Sequence, residues 1–294
     1  MIPLQESKQP QFEGWYFKHQ CAGETVALIP GRAESGSFVQ VVTNDRSWNF
    51  SVPALHVGAD IQAGSCLFSR SGVIVDLPGI HGQIQYGSWT PLRSDIMGPF
   101  RYLPMECRHG ILSMRHTLSG SLELEGRTVA FDGGLGYIEK DAGTSFPLRY
   151  LWLQANDFPV PCSISLAVAR IPRPRPFNGC ICAIVYGGQE YRLATYRGVR
   201  VLAATPEHIR LAQGSLLLEA DLERRDDGPT LRAPDEGRMT AIIRESSAVT
   251  AHFRFWQRGQ LVFALTSTAA SFECRDKPYD RTARNHRFRA ARSF

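Results

Sequence analysis

The chain has 294 residues, of which 43% are hydrophobic and 21% charged. This length and composition fit one large or two ordinary globular domains and exclude a mainly disordered chain. The net charge of +5 comes entirely from residues 275–294, which hold seven basic and two acidic residues, so we expect no nucleic-acid partner for the neutral body. The sequence shows no apolar run of about 20 residues and no secretory signal, which predicts a cytoplasmic protein.

Short runs with the alternation of β-strands recur along the whole chain and are separated by turn residues. No amphipathic helical pattern of about twelve or more residues stands out, so that any helices are expected to be few and short. The pattern predicts an all-β fold of sandwich or barrel type with few short helices. Representative strands are Thr25–Ile29, Phe38–Thr43, Val73–Leu77, Ile111–Leu118, Ser163–Ile171, Cys180–Tyr186, Thr250–Trp256 and Leu261–Ser267, the last two joined by a tight Arg258-Gly259 hairpin.

Two β units are expected, because there are too many strands for one small barrel. Prolines concentrate between residues 158 and 176, which places the boundary there. We therefore predict an N-terminal β domain at 1–158, a C-terminal β domain at 159–274 and a basic tail at 275–294. Residues 223–237 are charged and contain Gly and Pro, which predicts an exposed loop.

Three segments depart from the plain strand pattern. In the first, residues 12–18, alternation places Trp15 on one face and Tyr16 on the other. In the second, residues 136–147, Tyr137, Glu139 and Asp141 share a face opposite Lys140. Two carboxyl groups on one face repel, which raises the pKa of one of them and makes it a candidate proton donor; the alternative is a surface turn.

The third segment, residues 150–156, has an apolar face and an aromatic-and-amide face that includes Trp152, Gln154 and Asn156. Inside a cavity such a face suits a ligand that is mostly apolar with one polar end; the alternative is a solvent-exposed face.

The histidines show no metal-binding spacing, and no nucleotide-binding or hydrolase motif is present. We therefore predict no cofactor and no metal. The seven cysteines are expected to be free thiols.

These segments resemble the tocopherol cyclase family. The resemblance rests on FEGWYFK (12–18), GYIEKDAGTSFP (136–147), WLQAN (152–156) and, later, residues 231–237 and 243–246. The sequence departs from the family at Ala142, where members of the family usually have Trp. The resemblance implies two packed lipocalin-like β-barrel or β-sandwich units, as in related carotenoid hydratases and cyclases.

The same resemblance implies a cofactor-independent cyclase that protonates a prenyl alkene and closes a chromanol ring on a prenylated hydroquinone. Glu139 or Asp141 would donate the proton. Residues that would contact an apolar prenylated aromatic or polyene substrate are Trp15, Tyr16, Tyr137, Trp152, Gln154 and Asn156. Lys140 is expected in a structural ion pair.

Three other functions fit the same sequence. One is a hydratase or another cyclase of an isoprenoid or polyene, and the second is a non-catalytic carrier of an apolar ligand. In the third, the protein is a scaffold whose basic tail contacts an anionic membrane, which would make it membrane-peripheral.

Overall fold

The structure, a computed structural model, describes residues 10–171, 177–224 and 226–276. Within these ranges nearly all regular structure is antiparallel β-strand, and the helical segments are two short 3₁₀ turns, Gly98–Tyr102 and Thr195–Arg197. The predicted all-β class with few short helices is confirmed. No helix in the described part of the chain has the length and apolar character that crossing a membrane requires.

The first sheet has 12 strands in the order β4-β3-β2-β1-β12-β10-β9-β8-β7-β6-β5, with β11 paired to β10. Strands β5 and β6 return to contact β2 and β3, so the sheet curls around its own core. Its strands are β1 (Phe12–Cys21), β2 (Glu24–Ala33), β3 (Gly36–Thr43), β4 (Ser47–Val52), β5 (Leu55–Val57), β6 (Ile61–Ala63), β7 (Cys66–Phe68), β8 (Gly72–Leu77), β9 (Ile80–Tyr86), β10 (Cys107–Leu124), β11 (Arg127–Ala130) and β12 (Leu135–Gly143).

The second sheet has 10 strands in the order β16-β15-β14-β13-β22-β21-β19-β18-β17, with β20 paired to β21. It also curls, because β16 contacts β18. Its strands are β13 (Arg149–Ala155), β14 (Cys162–Ile171), β15 (Phe177–Tyr186), β16 (Gln189–Ala194), β17 (Arg200–Ala204), β18 (His208–Gln213), β19 (Leu216–Glu223), β20 (Thr230–Asp235), β21 (Arg238–Gln257) and β22 (Gln260–Asp276).

The chain passes from the first sheet to the second between Gly143 and Arg149. The predicted domain boundary at residue 158 lies one strand further along the chain than this change of sheet, since β13 belongs to the second sheet. The proline-rich segment does not separate the two sheets, because β14 and β15, on either side of it, are neighbours in one sheet, with Ile171 opposite Phe177. The first two residues of the predicted tail, Arg275 and Asp276, are the last residues of β22, and the remainder of the tail lies outside the described residues.

Two turn predictions had different outcomes. Arg258 and Gly259 both have positive φ angles, 53° and 77°, and join β21 to β22 in the expected tight hairpin. The predicted loop at 223–237 is wrong in its second half, where β20 pairs with β21. Leu231 and Ala233 are buried there, because they pack between the two sheets.

Three apolar clusters form the interior. One fills the first curled sheet around Phe17, and another fills the second around Phe253. The third lies between the sheets and includes Tyr16, Tyr137 and Trp152. The outer faces of the two sheets are therefore buried against each other, and the candidate segments of the sequence lie at this junction.

A glycine on β12 allows a tight approach of β10. A Cβ added at Gly136 would lie 2.2 Å from Nε2 of His116, which is itself buried. Burial lowers the pKa of His116 to about 3, so that its ring packs here in the neutral form.

We expect Gly136→Ala to destabilise the protein by about 1–3 kcal/mol, because the added methyl group overpacks a buried contact. Urea-induced unfolding at neutral pH measures this change. Gly110→Ala is the matched control, since a Cβ there would meet its nearest atom, the Lys140 carbonyl oxygen, at an ordinary 3.9 Å. Equal stability of the two variants would contradict the proposed clash.

Candidate active site

A cavity of about 1140 Å³ opens between the outer faces of the two sheets. Its wall is mainly aromatic and aliphatic, with a few acidic and imidazole groups. Apolar residues of the wall include Phe12, Ile29, Met97, Phe146, Tyr150 and Ile181. The cavity lies beside residues 136–156, between two curled sheets and not inside one barrel.

Glu139 lies in the middle of β12, and its side chain is buried in the cavity wall. Its Oε2 accepts a hydrogen bond of 2.6 Å from the Tyr137 hydroxyl and one of 3.2 Å from Nε1 of Trp152. Tyr137 belongs to the same strand, whereas Trp152 comes from β13 of the second sheet. The second sheet therefore helps to hold this carboxyl group in place.

His109 is the neighbour that sequence reasoning missed. It lies opposite Asp141 where β10 pairs with β12. Its Nδ1 is 3.0 Å from Oδ1 of Asp141, and its Nε2 is 3.6 Å from Oε2 of Glu139. The sequence around His109 carries no signal of its own, because only the register between the two strands brings it to the acids.

The environment shifts the pKa values of Glu139 and His109 upward. Burial is the main cause that raises the pKa of Glu139 to about 7; Asp141 adds to it, and His109 acts in the opposite direction. Burial lowers the pKa of His109, but Glu139 and Asp141 raise it by more, to about 9. Near neutral pH the site therefore holds a carboxyl group that can carry a proton beside an imidazolium.

A second buried acid pairs with Tyr16. The Tyr16 hydroxyl on β1 donates a short hydrogen bond to Oε1 of Glu245 on β21 and lies 3.3 Å from the Ser271 hydroxyl. The Tyr16 ring meets the Trp152 ring edge to face, with centroids 5.5 Å apart. Burial is the main cause that raises the pKa of Glu245. Glu245 lies in a segment that contributed to the resemblance, but the sequence alone assigned it no role.

A third acid, Glu273, lies opposite both Trp152 and Glu245 in the second sheet and also borders the cavity. Its Oε1 has no hydrogen-bond partner among the described residues. Burial raises its pKa well above the ordinary value, and Asp141 and Glu139 add to this effect.

The opposite face of β12 is occupied by structural contacts. Nζ of Lys140 lies 2.8 Å from Oε2 of Glu13, which is the expected ion pair, and 4.3 Å from the centre of the Trp15 ring. Trp15 borders the cavity, but its ring packs in the core of the first sheet. Ala142, opposite Glu13 in the β1–β12 pairing, shares the Lys140 face. Ala142, where the sequence departs from the family, is therefore not one of the residues that line the cavity.

Gln154 and Asn156 are fully buried but are not part of the cavity wall. Oε1 of Gln154 accepts a hydrogen bond of 3.0 Å from Nζ of Lys18. Oδ1 of Asn156 accepts one of 2.8 Å from Nε2 of Gln20, and its Nδ2 donates one of 2.9 Å to the Gly136 carbonyl oxygen. Tyr137 is likewise buried behind Glu139. These predicted substrate-binding residues therefore connect the two sheets, and we assign them no direct contact with a substrate.

Asn156→Ala should lower the free energy of unfolding by about 1–3 kcal/mol, because it leaves the buried Gln20 amide and the Gly136 carbonyl unpaired. Denaturant unfolding followed by tryptophan fluorescence checks this value. The control is Asn49→Ala, at an exposed position of β4, where we expect little change. A stable Asn156→Ala protein would show that the amide does not join the sheets.

The cavity also contains a group that could receive a cation. One ligand atom from each of His109, Glu139 and Asp141 lies within 4.8 Å of the others. A metal ion would need a neutral imidazole and ionised carboxylates. The upward pKa shifts of His109 and Glu139 favour protons on both groups near neutral pH, so a cation would have to displace these protons.

Comparison with known proteins gives a family. The model of the tocopherol cyclase-like family matches residues 80–275, more than half of the chain. The chain belongs to this family. A curated member, the probable chloroplastic tocopherol cyclase of Oryza sativa subsp. japonica, is 22% identical over 211 residues, which cover 66% of this chain and 45% of that protein. The match thus spans less than half the length of the rice relative.

Solved structures resemble the tocopherol cyclase-like chain in fold. A putative AttH from Nitrosomonas europaea is 12% identical with a TM-score of 0.57, covering 93% of this chain and 98% of that one. CghA with Sch210972 is 11% identical with a TM-score of 0.61, covering 90% and 88%. The two-unit lipocalin-like architecture is therefore confirmed.

Proposed function

We propose that this protein is a cofactor-independent cyclase that closes a chromanol ring on a prenylated hydroquinone. The observation that carries the proposal is the buried Glu139 carboxyl, which has a raised pKa and lies in the wall of an apolar cavity beside Trp152 and Tyr16. Membership of the tocopherol cyclase-like family supports the same reaction class.

The reaction needs an acid that is protonated near neutral pH. The Glu139 proton adds to the prenyl alkene next to the ring, and the alkene π electrons form the new C–H bond and leave a tertiary carbocation. The phenol oxygen then donates a lone pair to this carbon and closes the six-membered ring. The proton on the new ether oxygen returns to Glu139, so the substrate is isomerised without a net change in atoms or electrons.

The wall around Glu139 suits a cationic intermediate. The rings of Trp152 and Tyr16 lie beside the carboxyl group, and a well-placed aromatic face stabilises a cation by about 0.5–2 kcal/mol. The apolar walls exclude water, which would otherwise capture the carbocation. The Tyr16–Glu245 pair offers hydrogen-bonding groups that would orient the phenol.

His109 acts as a positioning residue through Glu139. Its positive charge opposes the upward shift in the Glu139 pKa, which makes the carboxyl a stronger acid than burial alone would allow. After the proton has left, the imidazolium stabilises the carboxylate across 3.6 Å. Asp141 holds the ring in this orientation through the Nδ1 hydrogen bond.

Glu139→Gln should reduce turnover of a prenylated hydroquinone by about 10²–10⁴-fold, the range typical of a lost general acid, while the protein stays folded. Chromanol formation measured by chromatography and mass spectrometry checks this. The matched variant is Glu273→Gln, which changes another buried cavity acid and should have less than a tenfold effect. Turnover should also survive EDTA.

Three results would contradict this assignment. If Glu273→Gln lost as much turnover as Glu139→Gln, the loss would not be specific to Glu139, and Glu273 of the second sheet would be an equal candidate for the proton donor. Incorporation of labelled water into the product would indicate a hydratase. Tight binding of the hydroquinone by the unmodified protein without any product, at every pH tested, would indicate a carrier.

The pH profile should identify the acid. Because Glu139 must be protonated and its pKa is raised to about 7, kcat should fall as the pH rises through this value. His109→Gln removes a charge that lowers the Glu139 pKa, so the falling limb should move to higher pH. An unchanged limb in this variant, measured at saturating substrate, would show that His109 does not act on the proton donor.

A further inference from the structure

Exposed apolar side chains surround the mouth of the cavity. Leu103 is 48% exposed and Phe177 38% exposed, and both also line the cavity, so they must lie at its opening. Tyr102, next to Leu103, is 75% exposed. With Arg101 and Arg170, these residues form what we call the mouth patch. Large apolar side chains grouped at an opening are typical of a surface that binds a partner.

Hydrogen bonds to the backbone hold the segment that carries Tyr102 and Leu103 in place. The buried Arg192 donates hydrogen bonds of 3.1 Å and 3.0 Å to the carbonyl oxygens of Ser94 and Asp95. The Leu103 amide donates one of 3.0 Å to the Phe100 carbonyl oxygen. The mouth patch is therefore presented to solvent by a hydrogen-bonded turn.

The mouth patch also carries two arginines that form no ion pair with a described residue. The guanidinium of Arg101 lies 4.6 Å from the centre of the Tyr102 ring, and Arg170 donates to Asn178 at 3.3 Å. Within the described ranges, neither arginine has a carboxylate within 4.0 Å. Basic and aromatic groups side by side match the interface of an anionic bilayer, where rings lie at headgroup depth and arginines contact the charged headgroups.

The described part of β22 ends at the same end of the second sheet as Arg170 and Phe177. Asp276, the last described residue, is paired with Arg149 at the start of β13. The adjacent end of β14 carries Arg170, and Phe177 begins β15 opposite Ile171. Residues 277–294, which lie outside the described residues, hold six basic residues and one acidic residue.

We propose that the mouth patch docks on an anionic lipid bilayer, with Tyr102, Leu103 and Phe177 entering the interface and Arg101 and Arg170 contacting headgroups. An apolar ligand would then pass between bilayer and cavity without crossing water. The identity of that ligand rests on the proposed function, but docking itself does not depend on catalysis.

Flotation of the full chain with vesicles that contain no prenylated lipid tests the docking. We expect binding to phosphatidylcholine vesicles with phosphatidylglycerol, and much weaker binding to phosphatidylcholine alone. The double variant Tyr102→Ser with Leu103→Ser should weaken binding by about tenfold or more, because it removes apolar area that enters the interface. Arg101→Gln with Arg170→Gln should weaken it by about fivefold per arginine.

The control is Ile242→Ser with Leu261→Ser, which changes two apolar residues of similar exposure, 56% and 55%, that do not line the cavity. This control should bind as the unmodified chain does. Equal binding by the control and the Tyr102/Leu103 variant would overturn the proposal. The proposal would also be overturned if vesicle binding were lost when Arg281, Arg284 and Arg287 are replaced by Gln but were unaffected by the substitutions in the mouth patch.

Vesicle binding and chromanol formation are separate measurements, so failure of the proposed function can be told apart from failure of the docking. Glu139→Gln should float with vesicles as the unmodified chain does, because its carboxyl lies inside the cavity. A chain that never forms a chromanol but binds anionic vesicles through the mouth patch would refute the cyclase and leave the docking surface intact.

Discussion

Burial of polar side chains between two sheets is the constraint on which the rest of this structure depends. Each curled sheet has an apolar core of its own, but the faces that meet carry a lysine, amides and acids. Such groups cost free energy there unless they are partnered. Lys18 meets Gln154 and the Ala269 carbonyl, and Asn156 meets Gln20. The same kind of pairing holds Glu139 between Tyr137 and Trp152, so docking of the sheets and positioning of the acid share one cause.

Properties that depend on neighbours along one strand could be predicted from the sequence. Alternation separates Glu139 and Asp141 from Lys140, and the structure places them on opposite faces of β12, with Lys140 in its ion pair with Glu13. Alternation in β13 likewise separates the core residues Leu151 and Leu153 from Trp152 at the junction. The two-residue turn at 258–259 is equally local, since its conformation is set by its own φ angles.

Properties that depend on the pairing of distant strands could not be predicted in this way. His109 reaches Asp141 from 32 residues earlier, and Glu245 reaches Tyr16 from 229 residues later. Neither position has a local pattern, because register and sheet order decide which strands meet. The amides of Gln154 and Asn156 were placed on the correct face, but alternation does not tell a cavity from a packed junction. Prolines near residue 172 likewise predict the end of a strand without showing whether the next strand stays in the same sheet.

The division of the cavity between two sheets, each with its own core, has a consequence for how the selectivity of the cavity changes. Glu139 is fixed to the first sheet, and Trp152 is fixed to the second, so the gap between acid and ring depends on how closely the sheets approach. Small residues such as Ala27 and Ala183 fill the junction, and a bulkier side chain at either position would act as a spacer. Such a change would reshape the space around the reacting carbon without altering any residue of the cavity wall.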